Sequence, residues 1–137
     1  MAPAQRTRTH PTDGFTNYAG IEETHLLADG RVEAEIEVRE EHLNEGGVVH
    51  GGLLATALDV VMGSAVVATL DLDEGQWCAT QSLTTDFLRP VREGEIRAVG
   101  EIDRRGSLAA NVSGEIHDEE GRVVARATGV WAIRRSG

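Results

Sequence analysis

Apolar and polar residues alternate over Gly20 to Leu27 and again over Arg31 to Val38, on either side of an Asp29-Gly30 step. A period of two around Asp-Gly predicts a β-hairpin. In its second arm Val32, Ala34, Ile36 and Val38 share one face while Arg31, Glu33, Glu35, Glu37 and Arg39 share the other, so that second face is expected to be wet. The pattern then changes. From Gly51 to Leu70 the only charged side chain is Asp59, which predicts a central helix enclosed by protein on all sides. Period two returns over Trp77 to Arg89, Glu95 to Arg104, Ser107 to His117 and Arg122 to Ile133, with links at Arg105-Gly106 and residues 118–121. Links this short make the strands antiparallel. The expected fold is therefore α+β, a curved antiparallel sheet wrapped around one long helix over residues 20–134. Residues 1–19 lack this pattern and read as a polar leader, expected to be mobile.

Composition narrows the function classes. A chain of 137 residues fits one domain, and its net charge of −10 argues against nucleic acid as a partner. The single cysteine, Cys78, cannot form an internal disulfide and fits a reducing compartment, so a cytoplasmic location is expected. No apolar signal segment opens the chain. Only Gly51 to Leu70 has the length of a membrane span, and Asp59 near its middle with acidic rather than basic flanks argues against spanning. His10, His25, His42, His50 and His117 are scattered without metal-ligand spacing, so neither a metal nor another cofactor is expected.

The candidate chemistry lies in Asn44 to Asp59, NEGGVVHGGLLATALD. An acid in an apolar helix is costly to bury unless it is hydrogen-bonded or works chemically. Gly51 and Gly52 fall at the expected helix start, where unpaired N–H groups and the helix dipole favour negative charge. Asp59 lies eight residues further on, about 12 Å along the axis at 1.5 Å per residue, too far to serve that helix start directly.

The pattern N-x5-HGG-x6-D, filled by Asn44, His50, Gly51, Gly52 and Asp59, resembles the signature of hotdog-fold acyl-CoA thioesterases of the PaaI-like, phenylacetyl-CoA thioesterase type. TQSLTTDFLRPV, Thr80 to Val91, is similar to the strand that follows the helix in that family. The resemblance implies hydrolysis of an aryl- or fatty-acyl-CoA in a homodimer or homotetramer, with loop and helix start from one chain and the acid from its partner. It gives Asp59 the part of nucleophile or general base, Gly51 that of oxyanion donor with Gly52 beside it, and Asn44 that of holding the carbonyl or the water. His50 would orient the loop or approach the leaving sulfur, and Thr80 would position the acid. Cys78 reads as a packing residue, since nothing in the sequence marks it as activated. Arg89 and Arg92, or Arg104 and Arg105, are candidates for the CoA phosphates, against the simpler reading of solvated surface. Competing readings are a hotdog hydratase or dehydratase and an acyl-CoA-binding module without catalysis.

Overall fold

The computed structural model describes residues 4–136. Seven strands, β1 (Arg6–Pro11), β2 (Glu23–Leu27), β3 (Val32–Glu37), β4 (Gln76–Phe87), β5 (Glu95–Arg105), β6 (Ala109–His117) and β7 (Val123–Arg135), form one antiparallel sheet in the order β1-β2-β3-β5-β6-β7-β4. The long helix α2 (Gly51–Val67) lies across it, and a one-turn helix α1 (Gly14–Tyr18) follows β1. The expected hairpin is present, with Gly30 at a φ of 91°, where a Cβ would be strained. Leu54, Leu58, Val61, Met62, Ala65 and Val66 face a core completed by Ile36, Ile96, Val112, Ile116, Trp131 and Ile133. Two sheet glycines let helix and sheet approach: a Cβ on Gly100 would stand 2.6 Å from the Val61 carbonyl, and one on Gly114 would stand 2.9 Å from Met62 Sδ.

The structure departs from the sequence reading in four places. The presumed leader supplies β1 and α1, because Arg6 and Thr9 of β1 bond to Glu33 and His25 instead of to apolar partners. The face of β3 expected to be wet is partly closed. Glu33 is only 8% exposed beneath Arg6 and Arg97, which both bond to it. The helix ends at Val67 rather than Leu70, with Thr69 turning its hydroxyl onto the Val66 carbonyl. It is also enclosed on one side only, since Gly52 and Val67 are exposed and Asp59, Val60 and Ser64 are half-buried. β4 pairs with β7 at the edge of the sheet, so residues 88–94 cross the molecule from β4 to β5. That crossing packs against the segment before α2, where Val49 N–H donates to the Val91 carbonyl.

Candidate active site

The loop before α2 is held by its own polar groups. Asn44 Oδ1 accepts the N–H of Gly46 at 2.9 Å and of Val48 at 3.3 Å, an Asx turn that shapes the glycine-rich segment. His50 then caps the helix: its Nδ1 accepts the Gly52 N–H at 2.8 Å, and its carbonyl accepts Leu53 and Leu54. A neutral His50 in this bond carries its proton on Nε2. With Gly52, Leu53 and Leu54 committed, the Gly51 N–H is the first-turn donor with no acceptor among the described residues. Gly51 lines a depression of about 380 Å³ together with Val48, Leu54, Phe87, Arg89 and Val91. Phe87 covers Gly51 so closely that a Cβ there would lie 3.3 Å from the ring. The sequence reading passed over Phe87; its only signal was its place at the end of the strand before Leu88-Arg89-Pro90.

Asp59 sits halfway along α2, half-buried on the flank nearest β4. Thr80 of β4 donates its hydroxyl to Asp59 Oδ1 at 2.6 Å. The β4–β7 register slips between Thr80 and Ser82, a bulge that re-aims the strand at this point. Cys78, two residues earlier, lies close enough to Asp59 and Arg105 to feel both charges. Burial pushes its thiol up, Asp59 adds to the rise and Arg105 opposes it, so Cys78 is not held as a reactive thiolate.

The four candidate arginines separate. Arg89 lines the depression at Gly51 and makes no ion pair or side-chain hydrogen bond among the described residues. Arg92 and Arg104 are exposed and likewise uncommitted. Arg105 is tied to the opposite end of α2: it bonds to the Thr69 hydroxyl and carbonyl, to the Gly106 carbonyl and to Gln76. Its role in this chain is to clamp the helix end, about 25 Å along α2 from Gly51 at 1.5 Å per residue. No cluster of metal-ligating side chains occurs among the described residues, and no described helix is long and apolar enough to cross a membrane.

The thioesterase superfamily model matches residues 46–125, which contain the loop from Gly46 onward, α2, Asp59, Thr80 and Arg89. The chain belongs to the thioesterase superfamily. Like its relatives there it is a thioester hydrolase with the hotdog fold. SSO2140 of Saccharolobus solfataricus, named as a candidate esterase, is 36% identical over 110 residues, covering 80% of this chain and 76% of the relative. BH2602 of Bacillus halodurans, whose crystal structure contains CoA, superposes with a TM-score of 0.82 at 30% identity over 92% of this chain and 82% of that one. The Escherichia coli PaaI protein from the phenylacetic acid degradation operon superposes with a TM-score of 0.79 over 91% of this chain and 86% of its own. At 24% identity it speaks for the PaaI-like hotdog fold alone.

Proposed function

We propose that this thioesterase hydrolyses acyl-CoA at a site assembled from two copies of the chain, with the Gly51 N–H receiving the oxyanion and the partner's Asp59 supplying the carboxylate. The observation that carries this reading is the free Gly51 N–H at the start of α2, a donor left over after His50 has satisfied its neighbours. When a nucleophile adds to the thioester carbonyl, negative charge develops on oxygen, and a preorganised N–H on a helix start stabilises it without reorganising. The carbon–sulfur bond then breaks and the thiolate leaves as CoA. Thr80 occupies Asp59 Oδ1, which leaves Oδ2 to take a proton from the attacking water or to attack the carbonyl itself.

Asp59 and Gly51 of one chain are about 12 Å apart along the helix, so a second chain is needed to bring the two functions together. The twelve-residue β4 supports that requirement: it is an edge strand, mostly exposed, with one side of its backbone open to pairing. Arg89, at the rim of the depression and without a carboxylate partner among the described residues, supports a contact to CoA phosphate, and the presence of CoA in the Bacillus halodurans structure favours that substrate class. Release of free thiol from a panel of aryl-, medium- and long-chain acyl-CoAs tests the proposal. Turnover that Asp59→Asn abolishes is expected, and no release from any member would sink it.

A further inference from the structure

We propose that the groove between α2 and the β1–β2 edge is a second binding site, for a medium-chain fatty carboxylate. The groove encloses about 560 Å³, within the range of small-molecule sites, and none of its lining residues belongs to the site around Gly51 and Asp59. Leu26, Val32, Val60, Val67, Leu70 and Leu72 form its apolar walls. Val67 is 44% exposed and Leu72 63%, an apolar surface that lies open to water in the absence of an occupant.

The rim defines the head group. Arg8 and His10, two residues apart on β1, both line the groove. Neither makes an ion pair or a side-chain hydrogen bond among the described residues. Arg8 therefore stands beside an apolar floor with no carboxylate of its own to neutralise it, in a chain of 23 acidic and 13 basic residues. The guanidinium fork matches a carboxylate with two parallel N–H bonds, and His10 adds a further donor. Asp13 is the one carboxylate in the lining. It forms no ion pair with Arg8 or His10 among the described residues. The tail length follows from the helix: Val60 to Ala68 extends about 12 Å, the span of a chain of about ten carbons.

A fatty carboxylate is also the acid that the proposed hydrolysis would release, so its identity as product rests on that reading, whereas binding in the groove does not. The test is titration of decanoate into the full chain, followed by calorimetry and amide chemical shifts, with Arg8→Ala and Leu72→Glu as variants. Both residues are exposed, so both variants should fold. One saturable site per chain is expected, with shifts at Arg8, Thr24, Ser64 and Val67 and affinity at least about tenfold weaker in either variant. Decanol, which lacks the charge, should bind more weakly than decanoate and be indifferent to Arg8→Ala. The proposal is overturned by absence of saturation, by shifts confined to Gly51 and Asp59, by wild-type affinity in both variants, or by a second copy of the chain covering the groove and excluding decanoate. Thiol release measured on the same samples keeps the two proposals apart: binding in the groove without turnover leaves this site standing and removes the hydrolase reading.

Discussion

Thr80 holds one oxygen of Asp59, its hydroxyl donating to Oδ1 across 2.6 Å between β4 and the middle of α2. A carboxylate pinned in this way has one oxygen oriented and one free, the arrangement a base or nucleophile needs. Asp59→Asn should keep the fold and lower kcat by orders of magnitude, because an amide neither attacks nor takes a proton. Thr80→Ala should lower kcat by about tenfold to a hundredfold with little change in KM, and Thr80→Ser should restore most of it. Steady-state kinetics on the best acyl-CoA decide the matter. An unaffected kcat in Asp59→Asn would make the pair a structural one.

The Gly51 donor can be deleted without removing the helix start. Proline is favoured at the first helical position, where it removes the N–H and adds its ring, and the residue before it, His50, is already extended at φ −60° and ψ 133°. Gly51→Pro should therefore lower kcat by about 10²- to 10³-fold while circular dichroism stays native. Gly51→Ala is its control: the N–H remains, and the added Cβ need only displace the half-exposed Phe87 ring by a few tenths of an ångström. Equal losses in both variants would assign the effect to crowding and not to the donor.

How far the chain could be read in advance depended on the kind of information each feature carries. The β2–β3 hairpin was legible because Asp29-Gly30 and strict alternation are local signals, and Asp59 stood out as the lone charge in an apolar helix. β1 was illegible for the opposite reason. RTRTHP shows no apolar alternation, since Arg6 and Thr9 face Glu33 and His25 rather than a core. Strand order is equally absent from local pattern: nothing in residues 76–87 says that they pair with β7. The resemblance already pointed to Gly51 as a donor, but that its N–H is left over follows from a subtraction, His50 taking Gly52, Leu53 and Leu54, that needs coordinates. Arg89 and Arg105 were equivalent as sequence and differ only by their neighbours.

That difference between the arginines should appear as a split between binding and stability. Arg89→Ala is expected to raise KM for acyl-CoA with kcat nearly unchanged, an effect that shrinks as salt is added, because a phosphate contact is made equally in ground and transition states. Arg105→Ala should leave KM alone and lower Tm, since it removes the side chain that joins the helix end to Thr69 and Gln76. A raised KM in the second and not the first would move CoA to the other end of α2.

Glu33 ties the N-terminal strand to the sheet and makes that tie sensitive to acid. Burial pushes its carboxyl up, but the hydrogen bonds and charges of Arg6 and Arg97 outweigh this and hold it below its ordinary value of 4.5. A carboxyl depressed in the folded state contributes stability that is fully present above its unfolded value and is lost as pH falls through the folded one. Urea unfolding between about pH 7 and pH 3 should show that loss, and Glu33→Gln should both flatten it and cost about 1–3 kcal/mol near neutrality. An acid limb of identical slope in the variant would place the titrating group elsewhere.

A shared site has a signature that no single variant can give. If the loop and Gly51 come from one chain and Asp59 from its partner, a chain carrying Asp59→Asn and a chain carrying Gly51→Pro complement each other. In their heterodimer one site joins the intact Gly51 of the first to the intact Asp59 of the second, and the other site collects both lesions. Random reassortment puts half of the dimers in this mixed form, so a mixture of two nearly inactive proteins should recover about a quarter of the wild-type rate for a two-fold dimer. The control places both substitutions in one chain and mixes it with wild type. Each site of that heterodimer then carries one lesion, and activity should fall to what the remaining wild-type dimers supply. Sedimentation of a fully active monomer, or a mixture no more active than its components, would return Asp59 and Gly51 to separate roles within a single chain.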